Sequence, residues 1–335
     1  MPNSLPKILI CGNIVWAHED VKELLGGIAE VVDLDSQTRE EFFGELSGNG
    51  KFANLVAIYR HNSSADRIGI FDKELIDKLP SSVKWIAHNG AGYDQIDVHA
   101  AKDRGIRVSN TPGAVDDGTA TTALFLLIAT VRQYTKAELS ARAGNWKNGL
   151  KPAHDPSALT LSILGLGGIG LRFAQMAHAL PMKRILYHNR NKLEGAPEWL
   201  EYYPKERLAE MLKETDVLSV HLPLKKDTEG YVDEEMIRTL KKGARIVNTA
   251  RGKVIDEAAL IRALEDDHIS AAGLDVYPNE PHINPRLLEF PQVTLLPHMG
   301  TETEESQRSM EVRALTNLKD FLEKGAGNDI VAEHK

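Results

Sequence analysis

The chain has 335 residues, enough at about 150 per domain for two domains, each large enough to bury its own core. Its 40 basic against 48 acidic side chains give a formal net charge of −8, which leaves no polycationic surface to condense on phosphate backbones or anionic lipid, so nucleic acid and membranes are excluded as principal partners. With 42% apolar and 26% charged residues, wholesale disorder is excluded as well, and a soluble globular protein is expected.

From the N-terminus, Met1–Lys7 lacks the basic head and long apolar stretch of a secretory leader, and no segment reaches the roughly 18 consecutive apolar residues of a membrane helix. The C-terminal Ala332-Glu333-His334-Lys335 matches no peroxisomal or retention signal, so the expected address is the cytoplasm. The single cysteine, Cys11, falls in the apolar run Ile8–Cys11 and reads as a small buried hydrophobe; no disulfide is possible. Short β-rich runs then recur with helix-like stretches between them, at Ile8–Cys11, Val31–Leu34, Leu55–Tyr59, Lys84–His88 and Arg107–Ser109. Near-continuous apolar runs alternating with helices predict parallel strands covered on both faces.

Thr119–Arg132 is long and mostly apolar and suits a buried helix, whereas Ala141–Pro156 turns polar and rich in Gly, Pro and Lys, and is expected to be the linker. The strand rhythm restarts at Leu159–Leu164 and continues through Ile185–Tyr187, Val217–His221, Arg245–Thr249, Ala271–Val276 and Val293–Leu296, so two α/β units follow one another. Thr301 followed by Glu304 has capping-box spacing and predicts a last helix running to about Glu323. A terminal helix there is free to pack back on the first unit and make that domain discontinuous.

The run Leu161–Leu164 leads into Gly165-Leu166-Gly167-Gly168-Ile169-Gly170 and then the helix-compatible Leu171–Leu180. With the correct strand before it and helix after it, G-x-G-x-x-G is a dinucleotide-binding turn: Gly165 for the tight turn, Gly167 for close approach of a pyrophosphate, and Gly170 for helix–strand packing. Eighteen residues past Gly170, where a carboxylate would grip the ribose diol of NAD, stands His188, within His188-Asn189-Arg190. Arg190 can pair with the 2′-phosphate of NADP, so NADP(H) is favoured and NAD(H) remains possible.

Three strand ends of the second unit carry residues whose chemistry fits together. Arg251 can hold a 2-oxo acid's carboxylate bidentately and polarise its carbonyl. His298 titrates nearest neutrality and can supply the proton that ketone reduction requires, and Glu280 against its other ring nitrogen would fix the tautomer and raise its pKa. The remaining histidines, His282 included, show no metal-ligand spacing, so no metal is expected.

Gly165–Gly170, Asn248-Thr249-Ala250-Arg251-Gly252, Gly273–Tyr277 with Glu280-Pro281, and Pro297-His298 together resemble the D-isomer-specific 2-hydroxyacid dehydrogenase family. Asn89–Asp94, Asn110–Gly113 and Arg142–Trp146 extend the resemblance over nearly the whole chain, and Tyr187–Arg190 with Pro297–Thr301 is most similar to the branch holding glyoxylate/hydroxypyruvate reductases and D-mandelate dehydrogenases.

The resemblance implies two Rossmann-like, doubly wound parallel-sheet domains with the active site in the cleft between them. Residues 1–113 with 301–335 would form a flavodoxin-like substrate-binding domain, and 114–300 an NAD(P)-binding domain with a dimerisation helix and arm at about 116–149. It implies Arg251, Glu280 and His298 as the catalytic set. Cofactor contacts would come from Gly165, Gly167, Gly168, Ile169, Gly170, His188, Asn189, Arg190, Leu222, Pro223, Thr228, Thr249, Ala250, Asp275, His298 and Gly300. The substrate would be bound by Asn89, Gly90, Ala91 and Gly92 together with Arg251 and His298, and His88 and Tyr93 lie beside that turn. The expected reaction is reversible reduction of a small 2-oxo acid, such as glyoxylate, hydroxypyruvate or an aryl 2-oxo acid, to the D-2-hydroxy acid by a homodimer. A cofactor-sensing corepressor-like protein and a formate dehydrogenase are the alternatives.

Overall fold

The structure, a computed structural model, describes residues 5–335; the reading of Met1–Ser4 as part of a non-leader start lies outside them. The chain forms two compact units, one comprising the chain through Val115 together with Thr303–Lys335, the other Asp116–Glu302.

In the first unit, β1 (Lys7–Cys11), β2 (Glu30–Asp33), β3 (Leu55–His61), β4 (Trp85–Asn89) and β5 (Arg107–Ser109) form a parallel sheet in the order β2-β1-β3-β4-β5. Period-two alternation sorts the side chains. Leu9, Cys11, Ile58 and Ile86 enter one buried cluster with Phe42, Phe71 and Leu75, while Ile8, Ile10, Tyr59 and Trp85 enter another on the opposite face. The long C-terminal helix, Glu304–Lys324, belongs to this second cluster: Ala314, Leu315 and Leu318 recur at helical spacing and are buried there, and Phe321 stacks on Trp85 with ring centroids 5.3 Å apart. The helix is capped by Thr303, whose hydroxyl accepts the Ser306 N–H; the expected cap at Thr301 is two residues too early. It ends at Gly325 in the left-handed region.

In the second unit, β6 (Thr160–Leu164), β7 (Arg184–His188), β8 (Leu200–Tyr203), β9 (Val217–Val220), β10 (Ala244–Asn248), β11 (Ile269–Leu274) and β12 (Val293–Leu295) form a seven-stranded parallel sheet in the order β12-β11-β10-β9-β6-β7-β8. The order reverses between β6 and β9, and a ligand crevice is built at the carboxyl ends of strands flanking such a reversal. The helix Asp116–Arg132 covers one face, burying Ala120, Ala123, Leu126 and Val131 with Leu161, Ile163 and Phe173. The stretch Ala141–Pro156 is therefore no linker: it lies inside the second unit, running from the last turn of the helix Tyr134–Arg142 towards β6. Strand β8 has no counterpart in the sequence reading. Among the described residues no helix is long and apolar enough to cross a membrane.

Because Leu315 is fully buried against the first sheet, Leu315→Ala should cost about 2–5 kcal/mol, read as a lower urea midpoint. A loss below about 0.5 kcal/mol, the scale of a surface substitution, would show that the helix does not carry this core.

Candidate active site

All three expected chemical side chains leave the carboxyl edge of the second sheet. Arg251 follows β10, and Asn248 fixes its loop at both ends: the Asn248 side chain accepts the Ala250 N–H at 2.9 Å and donates to the Arg251 carbonyl at 3.0 Å. Gly252 allows this loop to lie against the next strand's exit, since a Cβ there would stand 1.9 Å from the Tyr277 carbonyl carbon. The Arg251 guanidinium donates to the Ala250 carbonyl at 2.8 Å.

Asp275 follows β11 and joins the two neighbouring loops. Its carboxylate accepts the N–H groups of Met299 and Gly300 at 2.6 and 2.9 Å, its N–H donates to the Asn248 carbonyl, and its carbonyl accepts the His298 N–H at 2.8 Å. Burial pushes the Asp275 carboxyl up from its ordinary value, against these hydrogen bonds and the nearby His298 charge. Gly300 is tied in turn to the helix Asp116–Arg132, its carbonyl accepting the Thr119 hydroxyl.

The structure brings His298 and Glu280 together: Nδ1 lies 2.8 Å from Oε2. The other carboxylate oxygen, Oε1, accepts the Tyr277 N–H at 2.9 Å, so backbone orients the carboxylate and the carboxylate orients the ring. With Nδ1–H donated to Glu280, the half-exposed ring presents Nε2 as its free nitrogen. The hydrogen bond to Glu280 raises the His298 pKa above the ordinary histidine value, outweighing burial and the Arg251 charge. Burial pushes Glu280 up, but its hydrogen bonds to His298 and Tyr277 and the charges of His298 and Arg251 prevail and hold it below the usual glutamate value. Arg251 thus acts electrostatically on both members of the pair. His298 sits at φ 57°, a left-handed conformation that costs a non-glycine residue about 1–3 kcal/mol and is tolerated here because Asp275 grips the backbone on both sides of the ring.

The glycine-rich turn lies at the end of β6, on one side of the strand-order reversal. Gly165 has φ 93°, and Gly170 lies so close to the turn that a Cβ would stand 2.2 Å from the Gly165 carbonyl oxygen. At exposed Gly167, by contrast, a Cβ would meet nothing within 4 Å. That open space lies at the N-terminus of the helix Gly168–His178, where the helix dipole favours an anion; the Asp116 carboxylate lies against Gly168, and Ile169 is half-buried in the first turn. Thr249, at the end of β10, keeps a buried hydroxyl with no partner, a polar atom that a bound ligand would satisfy. These features fit a dinucleotide.

The remaining expected contacts divide. Arg190 is exposed and makes no hydrogen bond or ion pair among the described residues. Asn189 grips the glycine-rich turn, its side-chain oxygen accepting the Leu166 N–H at 2.6 Å. His188, expected at the ribose, is buried, with Nδ1 2.8 Å from the Tyr203 carbonyl and Nε2 3.5 Å from the Tyr231 hydroxyl; its ring is turned into the sheet edge. Leu222 packs on Gly165, while the Thr228 hydroxyl closes its own loop by donating to the Pro223 carbonyl at 2.6 Å and accepting the Lys225 N–H at 2.8 Å.

In the first unit, Asn89 ends β4 and donates to the Tyr59 hydroxyl at 2.7 Å, and its own side-chain oxygen is buried without a partner. The Gly90 N–H is spent on the Thr111 hydroxyl, the Ala91 carbonyl accepts from Asn110, and the Gly92 carbonyl lies 2.8 Å from Nε2 of His88. His88 is fully buried, and burial with the Arg60 charge pushes it down to about 3, so it is a neutral clamp on the turn. The Tyr93 hydroxyl donates to Glu333. No group of three His, Cys, Asp or Glu side chains suited to a metal occurs among the described residues.

The sequence reading missed three supporting contacts: Tyr277 to Glu280, Asn189 to Leu166, and Asn248 around Arg251. Only the last carries a visible signal, an asparagine at a strand end three residues before the arginine.

Residues 124–300 match the family described as D-isomer specific 2-hydroxyacid dehydrogenase, NAD binding domain. The chain is 42% identical over 331 residues to 4-methyl-2-oxopentanoate reductase A of Aspergillus oryzae, covering 99% of each protein. It superimposes on a glyoxylate reductase from Paecilomyes thermophila with a TM-score of 0.94, at 43% identity and 100% coverage of both chains. A similar structure is an NADPH-dependent glyoxylate/hydroxypyruvate reductase of Sinorhizobium meliloti in complex with NADP and malonate, with a TM-score of 0.83, 33% identity, and coverage of 99% of this chain and 98% of that one.

Proposed function

This chain belongs to the D-isomer-specific 2-hydroxyacid dehydrogenase family and is a nicotinamide-dependent oxidoreductase, and from that premise we propose that it reduces small 2-oxo acids with NADPH through Arg251, Glu280 and His298. The observation that carries the assignment of roles is the 2.8 Å contact between His298 and Glu280, within the electrostatic reach of Arg251.

The reduced nicotinamide, when bound, supplies the hydride. The protein does the rest. Arg251 holds the substrate carboxylate and draws electron density from the adjacent carbonyl. His298, protonated, donates from Nε2 to the carbonyl oxygen as it gains charge, and Glu280 stabilises the imidazolium before transfer and holds the ring in place after it. The backbone N–H groups of the Asn89–Gly92 turn that are not already spent add donors for the carboxylate; Ala91→Pro, which deletes one, should raise KM for 2-oxo acids, and an unchanged KM would remove the turn from the assignment.

Incubation with NADPH and glyoxylate, hydroxypyruvate, 4-methyl-2-oxopentanoate or phenylglyoxylate should give loss of reduced-nicotinamide absorbance with at least one of them; no turnover with any contradicts the proposal. His298→Gln should lower kcat about 10²–10⁴-fold with cofactor binding retained, and Arg251→Ala should raise KM and lower kcat together. Near-normal turnover in either variant would refute that residue's role. Because the His298 pKa is raised and the protonated ring is the donor, kcat/KM for reduction should stay level at low pH and fall only as pH climbs past the ordinary histidine value.

NADPH preference is supported by unpaired, exposed Arg190, by the absence of a carboxylate at the end of β7, and by the NADP-bound relative. Arg190→Ala should raise KM for NADPH while leaving that for NADH nearly unchanged; equal effects on both would overturn the preference. A homodimer is supported by the exposed apolar side chains Phe125, Tyr134, Leu139 and Trp146 on the 116–149 segment. Sedimentation should give twice the 37.0 kDa chain mass, and a single-chain mass would contradict it.

A further inference from the structure

The first sheet has its own strand-order reversal, between β1 and β3, and the loop leaving β1 at that point has an arrangement that the reaction above does not use. Three consecutive N–H groups, those of Val15, Trp16 and Ala17, all donate to the carboxylate of Glu311, each at 2.8 Å. Glu311 is 2% exposed and projects from the C-terminal helix. A buried carboxylate is costly unless its oxygens are filled, and three charge-assisted hydrogen bonds fill them only if the loop keeps this one shape.

That shape decides where the side chains go. Ala17 is buried and Ile14 packs on the core, whereas Val15 and Trp16 point out, 56% and 42% exposed. At its start the loop runs against the end of β3: Gly12, at φ 124°, lies so close that a Cβ would stand 2.6 Å from the His61 Cβ, so only glycine fits there. The charge of Glu311 also bears on Tyr59, whose hydroxyl accepts from Asn89 at the head of the Asn89–Gly92 turn. An indole and an isopropyl group are thus fixed at the carboxyl edge that holds the turn assigned to the substrate carboxylate. Rigid apolar groups at such an edge suit the apolar end of a small ligand whose polar end is bound close by.

We infer that Val15 and Trp16 form the wall that reads the side chain of the 2-oxo acid, favouring branched aliphatic or aromatic substrates over glyoxylate, and that Glu311 is the positioning residue that holds this wall. The inference rests on the 2-oxo acid reductase reading and names the substrate class within it. Glyoxylate, with no side chain, gains nothing from the wall.

The test compares kcat/KM for glyoxylate, 4-methyl-2-oxopentanoate and phenylglyoxylate at saturating NADPH in the wild type, Trp16→Ala, Trp16→Phe and Glu311→Gln. In the wild type the two larger acids should be preferred. In Trp16→Ala the ratio of either larger acid to glyoxylate should fall at least about tenfold, mainly through KM, the scale on which lost apolar pocket contacts discriminate. Trp16→Phe should restore part of the ratio. Glu311→Gln, which keeps the side-chain length but puts an NH2 that cannot accept where a carboxylate oxygen accepted a backbone N–H, should lower the ratio in the same sense. A ratio in Trp16→Ala within about twofold of wild type, equal losses for all three acids, or a change of oligomeric state without a change of ratio overturns the inference. Failure of the wild type to turn over any of the three would instead overturn the reductase reading, and this inference with it.

Discussion

A carboxylate placed 2.8 Å from one nitrogen of an imidazole decides which nitrogen remains to act and at what pH it carries a proton. For His298 the carboxylate is Glu280, and most of the second unit's carboxyl edge serves to keep the two in register. Glu280 is held by the Tyr277 amide, and His298 is held through its own N–H by the Asp275 carbonyl. The left-handed backbone at His298 is the conformational cost of this placement, and the paired bonds from Met299 and Gly300 to the Asp275 carboxylate offset it.

The same edge explains how one sheet can carry both the glycine-rich turn and the loops of Arg251, Asp275 and His298. Its strands are parallel, so every exit lies on one side, and the order reverses at β6 and β9. The glycine-rich turn stands at one exit of that reversal and the Arg251, Asp275 and His298 loops at the exits of β10, β11 and β12. Cross-links such as Asn248 to Asp275 and Gly252 against Tyr277 make the three loops one support, so a change in any of them is felt at the His298–Glu280 pair.

Much of this was legible in the sequence because parallel strands read as apolar runs and their exits as abrupt polar or glycine residues. Strand β8 escaped because Leu200–Tyr203 is short, lies at the sheet edge, and interleaves Glu201 with aromatics. That omission hid the surroundings of His188. Pairing of β7 with β8 sets His188 opposite Tyr203 and buries the ring, so a position read as a free strand end is covered, and the exposed side chain is Arg190 two residues on. The polar, glycine-rich composition of Ala141–Pro156 reports solvent exposure, which a domain boundary and a surface arm share; the boundary itself, at Val115 and Asp116, shows no shift in composition. Glu311 carried no signal at all. It is one more glutamate on a helix rich in them, and its three partners lie about three hundred residues earlier in the chain.

Everything else depends on Glu280 raising the pH up to which His298 remains a proton donor. NMR titration of the His298 ring, identified by the resonance lost in His298→Gln, tests it directly in the wild type and in Glu280→Gln. The account requires a wild-type pKa above the ordinary 6.5 and a fall when the carboxylate is neutralised. A wild-type value at or below 6.5 that Glu280→Gln leaves unmoved would contradict it.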